Sequence, residues 1–390
     1  MKTLLLAGLT FLALAMGAGT SFADRPRARE TGVRIGVMAP GKLNAITDVA
    51  GVKVGHVTLI EGESIRTGVT AILPHGGNLF REKAPAAVFV GNGFGKLAGS
   101  TQVEELGTLE SPIILTNTLG VAAGIEGVVS WTLEQPGNGQ VRSVNAVVGE
   151  TNDGGLNDIR GRRVKPEHVV EAIRSAAGGA VAEGNVGAGT GTACFGWKGG
   201  VGTSSRRLPE SLGGYTVGVL VQTNFGGVLE IAGVPVGREL GRHSFRHELA
   251  EDGDGSCMIV VGTDAPLEAR NLERLAKRAF MGLAKTGGIA ANGSGDYVIA
   301  FSTAESVRVP HEAKAPVQAV QVLHNDHVSP LFLAAIEATE EAIINSLFAA
   351  ETMTGHGGRQ VEALPLDQIG ELMRQYGRLE QTGEPKQAAE

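Results

Sequence analysis

Short runs of β-branched residues alternate along the chain with stretches whose apolar positions recur every three or four residues. The runs predict strands over 52–60, 68–73, 86–90, 112–116, 144–149, 216–222, 257–261 and 297–301. In Ser256-Cys257-Met258-Ile259-Val260-Val261 successive positions are apolar, so both faces of that strand need cover, as inside a layered α/β protein. Thr263-Asp264-Ala265-Pro266 offers capping residues and an early proline to a helix. Its apolar stripe is Leu272, Leu275, Ala276, Ala279, Phe280, Leu283 and Ala284, and Gly287-Gly288 ends it. Ser329-Pro330 opens a second helix along Ile336, Ile343, Ile344 and Leu347, and Lys165-Pro166 a third towards Ala182. From Glu380 onward the chain is polar and reads as a frayed tail. No internal repeat and no linker divides it.

Composition narrows the class. Hydrophobic residues make up 42% and charged residues 19% of 390, enough apolar material for a large core. The 58 glycines are about twice ordinary usage and follow no collagen-like period. The net charge is −7 with no basic cluster, which argues against a nucleic-acid partner. At the start, Lys2 precedes an apolar stretch from Leu4 to Met16, and Ser21-Phe22-Ala23 has the small-x-small form of a signal-peptidase site. The expectation is a signal peptide over 1–23, a mature chain beginning at Asp24, and a periplasmic or secreted location. No later stretch is long and apolar enough to span a bilayer, so no membrane association is expected after the leader is removed. Cys194 and Cys257 each sit beside an apolar run and are expected as buried thiols.

Candidate chemistry is sparse. The P-loop, the zinc-protease helix and the nucleophile elbow are all missing. His243 and His247 are four apart in a charged segment without further ligands, and no metal is expected. Gly93-Phe94-Gly95-Lys96-Leu97-Ala98 fits a relaxed dinucleotide fingerprint, a match that a glycine-rich chain produces by chance. It is all that supports a nicotinamide-dependent oxidoreductase, and no cofactor is expected.

Gly255-Ser256 is of another kind. The charged segment 238–255 ends in Asp-Gly-Asp-Gly and breaks straight into the buried strand. Were the bond before Ser256 to break, that serine would gain an α-amine of pKa about 8, able to act as base for its own hydroxyl. An ordinary turn serine before a strand accounts for the same residues. Asn292-Gly293-Ser294-Gly295-Asp296 repeats the arrangement before the last strand, and places a hydroxyl and a carboxylate two residues apart on one face. A plain glycine-rich turn explains that motif equally.

Taken together, these segments resemble the L-aminopeptidase/D-esterase family, the DmpA-type or β-aminopeptidase family, over residues 27–377. The resemblance is carried by LNAITDVAGVKVGHVTLI (43–60), RTGVTAILPHG (66–76), ESPIILTNT (110–118) and VVGETNDGGLNDIRGR (147–162). GAGTGTACFGWKGGVGTSSR (187–206), VGVLVQTNFGG (217–227), GDGSCMIVVGTDAPL (253–267), NGSGDYVIAFSTA (292–304) and the segment 329–355 continue it in order.

What the resemblance implies is an α/β fold, a four-layer αββα sandwich like that of N-terminal-nucleophile hydrolases but differently connected. It also implies self-cleavage between Gly255 and Ser256, giving an α chain of 24–255 and a β chain of 256–390 that stay together in one catalytic domain. Such αβ units are expected to form a homo-oligomer. The implied activity is release of small N-terminal residues from short peptides, amides or esters. Carried over by position, Ser256 is nucleophile, Asn224 the oxyanion-hole amide, Ser294 a second serine at the nucleophile and Asp296 an acid where β-aminopeptidases carry glutamate. Glu150 holds the substrate's amine. Asn152 stands where some members have tyrosine, and Gly155, often larger, would widen the pocket. The rival within the fold is a binding protein with a degraded site, which intact Ser256, Asn224, Ser294 and Glu150 oppose.

Overall fold

The computed structural model describes residues 25–246, 255–313 and 315–379. The expected leader, the charged stretch before Gly255 that includes His247, and the tail from Glu380 lie outside the described residues.

The strands that carry the architecture are β1 (Lys53–Glu61), β2 (Ile65–Leu73), β3 (Glu82–Gly93), β4 (Leu97–Ala98), β5 (Ile113–Asn117), β6 (Val147–Thr151), β7 (Val201–Arg207), β8 (Thr216–Asn224), β9 (Ser256–Thr263) and β10 (Gly295–Ser302). The long helices are α1 (Val121–Leu133), α2 (Pro166–Arg174), α3 (Ala269–Lys285) and α4 (Ser329–Phe348). A five-stranded sheet runs β1-β2-β5-β6-β4; a second, seven-stranded, runs β7-β8-β9-β10-β3 with short strands at the outer edge of β3. Two neighbouring pairs are parallel, β5 with β6 and β9 with β10. Each is joined by a crossover through a helix, α1 in one case and α3 in the other, as parallel neighbours require.

The layering follows from two-sided burial. Every residue of β8, β9 and β10 is buried. Alternate side chains go opposite ways, because successive Cβ atoms of a strand point to opposite faces. Val217, Val219, Val221, Cys257, Ile259, Val261, Val298 and Ala300 share a core with α3 and α4. Leu220, Met258, Val260, Tyr297, Ile299 and Phe301 meet Ile72, Ile113, Leu115 and Val147 of the first sheet. The far face of that sheet, with Val69, Ala71, Ile114 and Val148, packs on Val128 of α1 and Val169, Ala172 and Ile173 of α2. The order is helices, sheet, sheet, helices: the expected αββα sandwich.

Each expected strand is present, with ends moved by a few residues. Two helix boundaries differ. Thr263 and Asp264 do not cap α3. Thr263 ends β9 and donates its hydroxyl to Thr216 O at 2.8 Å, and Asp264 Oδ1 accepts from Thr216 N at 2.7 Å, so both fasten β8 to β9 and the helix starts at Ala269. The helix after Pro166 stops at Arg174, well short of Ala182. Cys194 and Cys257 are buried free thiols, as expected. Among the described residues no helix is long and apolar enough to cross a membrane.

Candidate active site

Hydrogen-bond register brings the singled-out residues together. Asn224, the last residue of β8, lies opposite Ser256, the first of β9, and Ser256 lies beside Gly295, the first of β10. Gly295 in turn pairs with Gly93 at the end of β3. Four strand ends thus meet at one edge of the second sheet, against the end of β6 that carries Glu150.

Ser256 Oγ accepts the Gly295 N–H at 3.2 Å, and the same N–H lies 3.1 Å from Gly255 O. One backbone donor therefore serves both the hydroxyl and the carbonyl of the bond that precedes it. Backbone approaches backbone closely here: a Cβ on Gly295 would fall 2.6 Å from Gly95 Cα in the turn after β3, so the start of β10 tolerates no side chain facing that turn. Ser294 does not bond the Ser256 hydroxyl. It donates to Asp296 Oδ1 at 2.8 Å. Asp296 is 1% exposed and its Oδ2 is buried without a hydrogen bond. Burial pushes the Asp296 carboxyl up to about 6, against the opposing pull of the Ser294 hydroxyl.

Asn224 Oδ1 accepts the Ala193 N–H at 3.0 Å. That bond orients the amide and leaves Nδ2, its donor end, for an incoming oxygen. Glu150 is buried, and three groups hold it: the Thr118 hydroxyl on Oε2, the Lys96 N–H on Oε1 at 3.0 Å, and the Lys96 ammonium 3.7 Å from Oε1. Phe94, Gly95, Lys96, Thr118, Glu150, Asn152, Gly255, Ser256 and Gly293 line a cavity of about 50 Å³. At about 10–15 Å³ per water it has room for a handful of waters.

Asn152 is exposed at the mouth, its Oδ1 turned to Gly154 N at 2.9 Å. Gly155 does not line the cavity. The nearest atom to its side-chain direction is Arg359 Nη1, at 3.7 Å, so the expected widening there is not found. The 93–98 turn runs first into β4 and only then, at Ser100, into a short helix, and its donors are committed. Phe94 N–H goes to Ser294 O and Lys96 N–H to Glu150. What resembled a dinucleotide fingerprint is the wall of this cavity. Thr118, Lys96 and Ala193 were not singled out in the sequence. Two act through main-chain N–H groups that every residue type except proline supplies, and Thr118 is only the last residue of an unremarkable TNT. His243 bonds locally to Ser244 O, and among the described residues no group of three or more metal-ligating side chains converges.

Comparison with known proteins places the whole chain in one family. The model of peptidase family S58 matches residues 44–361. The β-peptidyl aminopeptidase BapA of Sphingosinicella microcystinivorans is 43% identical over 399 residues, covering 95% of this chain and 98% of that one. Two solved structures superpose with a TM-score of 0.83 each. A Burkholderia sp. β-aminopeptidase is 42% identical, covering 90% of this chain and 99% of the other. The L-aminopeptidase D-Ala-esterase/amidase of Ochrobactrum anthropi, described as a variant of the Ntn hydrolase fold, is 38% identical, covering 91% and 100%. With its serine at the head of a central strand and its sandwich matched almost end to end, the chain belongs to peptidase family S58, the serine aminopeptidases.

Proposed function

We propose that this aminopeptidase matures by cutting its own chain between Gly255 and Ser256, and that the new N-terminal serine then releases small N-terminal residues from short peptides, amides or esters. The observation that carries the reading is the Gly295 N–H shared by Ser256 Oγ and Gly255 O. A donor on the carbonyl oxygen favours charge developing there as the hydroxyl attacks.

In that first step an Oγ–C bond forms and the peptide C–N bond breaks. The nitrogen takes the proton and becomes the Ser256 amine, and water then hydrolyses the ester, leaving a carboxylate at Gly255. In turnover, Ser256 Oγ attacks the substrate carbonyl with its own neutral amine as base. The Asn224 amide donates to the tetrahedral oxyanion; as this collapses, the bond to the leaving amine or alcohol breaks, the leaving group takes the proton held by the Ser256 amine, and water then hydrolyses the acyl ester and frees the Ser256 hydroxyl. Glu150 receives the substrate's ammonium, which takes the place the Lys96 ammonium now occupies. Asp296 fixes the Ser294 hydroxyl at the edge of the reacting serine. The small cavity supports a small first residue. We also propose export, with removal of residues 1–23, and assembly of αβ units into a homo-oligomer. The exposed Val317, Val320 and Val322 supply apolar surface for such assembly.

N-terminal sequencing and intact mass test the maturation. The purified protein should contain two chains, the second beginning at Ser256, and Ser256→Ala should remain one uncut, inactive chain. A single intact chain with full peptidase activity would overturn the reading.

A further inference from the structure

Lys198 is a buried cation that the mechanism above does not use. It is 0% exposed, on a two-residue strand, Trp197–Lys198, that pairs with Ala193–Cys194. An ammonium kept from water needs bonds to hold it there. Its Nζ donates to Gly189 O at 3.0 Å and to Gly199 O at 2.7 Å. The two carbonyls bracket a loop that also closes on itself. Thr192 Oγ1 donates to Gly189 O at 3.1 Å, and Gly199 N to Thr192 O at 3.1 Å. Inside this clasp lies Ala193, whose N–H holds Asn224 Oδ1. Burial pushes the Lys198 ammonium down to about 7, against the raising effect of Cys194 and Asp153.

The geometry points to Lys198 as a positioning residue for the oxyanion-holding wall: its ammonium clasps residues 189–199 and, through Ala193, sets which end of the Asn224 amide faces the substrate. This rests on the reading above that Asn224 serves the oxyanion. Without the clasp, Gly199 O loses its side-chain donor and Gly189 O keeps only Thr192. Ala193 N–H is then no longer held in line, and the Asn224 amide is free to turn its oxygen towards the substrate. An oxygen there repels developing negative charge, whereas substrate binding, governed by Glu150 on the other wall, is untouched. The loss therefore falls on the transition state alone.

Removing an oxyanion donor outright costs about 10²–10³ in kcat; an amide left free to turn still presents its donor end part of the time, so the loss should be smaller. For Lys198→Met we expect kcat on a β-alanyl or L-alanyl p-nitroanilide to fall by about 10- to 100-fold per cleaved molecule, with KM within about 3-fold. The cleaved fraction is read by intact mass. The decisive comparison uses two inhibitors. An amino aldehyde that forms a tetrahedral adduct with Ser256 should weaken in parallel with kcat, and a non-reacting amine of the same shape should bind as before. Thr192→Val, which removes the other side-chain donor to Gly189 O, should show the same pattern at smaller size, and carries the test if Lys198→Met does not fold. Unchanged kcat and aldehyde affinity in the folded variant, or losses shared equally by KM and the non-reacting amine, would overturn the proposal. Wild-type protein without turnover on free-amine substrates would instead overturn the underlying functional reading, before any variant is compared.

Discussion

Asp296 shows what a buried carboxyl costs a fold. Its side chain is almost fully buried, one oxygen is bonded to Ser294 and the other to nothing. Burial raises its pKa to about 6, well above that of an ordinary aspartate. The folded state thus binds this proton more tightly than the unfolded chain does. The penalty for the charged form is absent below about pH 4, grows between 4 and 6, and is full above 6, where it amounts to about 2–3 kcal/mol. In the uncut Ser256→Ala background, Asp296→Asn should therefore raise stability at pH 7.5 by up to about 2 kcal/mol and change it little at pH 4, as read by urea unfolding. With Ser256 present, refolded precursor should cut itself faster as pH rises through about 6, because the ionised carboxylate accepts from Ser294 more strongly than the protonated acid does. Asp296→Asn should lose that midpoint and slow cleavage by at least about 10². Cleavage at the wild-type rate in the variant would remove Asp296 from the mechanism. Ser256, Asn224, Ser294, Asp296 and Glu150 were all legible as side chains in the sequence. The Gly295 N–H was not, since a backbone donor acquires its role only when β9 and β10 come into parallel register.

At the scale of elements, close approach decides what the helices can carry. Gly282 lies on the face of α3 that meets α4, where an added Cβ would fall 2.6 Å from Ile336 O and 2.7 Å from Thr339 Cβ. In an exposed helix, glycine to alanine gains about 1 kcal/mol of helix propensity. Here the methyl meets a backbone oxygen that cannot rotate aside, and overpacking of this kind costs about 1–3 kcal/mol. Gly282→Ala should lower the melting temperature, and a rise would mean that α3 and α4 can part without loss. The same helix pair explains one element the sequence did not reveal. Strand β7, with its polar Gly202-Thr203-Ser204-Ser205-Arg206, has no apolar alternation to announce it. It is a strand because α4 covers it and supplies partners: Arg206 is fully buried, 3.1 Å from Glu337 and 2.7 Å from Glu341. Polar residues on two separate elements satisfy each other, and local pattern sees neither half of such a pair. The helix start misread at Thr263 has a related cause. Its hydroxyl and the Asp264 carboxylate found partners on the neighbouring strand rather than in the helix ahead of them.

For the molecule as a whole, the position of the proposed cut within the second sheet governs what maturation can do. The order β7-β8-β9-β10-β3 places β9 and β10, which the proposed cut would assign to a second chain, between β8 and β3, which would stay in the first. After cleavage both outer ladders, β8 with β9 and β10 with β3, run between chains. Buried polar contacts cross the same proposed divide: on one side of it Arg206, Arg29 and the Asn44 amide all bond Glu341 on the other. Removing one partner of such a buried pair costs about 3–5 kcal/mol, so separating the chains would expose charges as well as two ladders and a core. Cleavage should therefore free the serine without loosening the fold. The two chains should co-elute in gel filtration and melt in one transition, within a few degrees of uncut Ser256→Ala. Salt tells which forces hold them. At about 1 M the screening length is about 3 Å, enough to dissolve a complex held by surface ion pairs, whereas buried pairs and backbone ladders are screened far less. The complex should survive 1 M salt and part only in denaturant. Dissociation in salt alone would mean that the chains are held from the surface, and that β9 and β10 leave the sheet once the chain is cut.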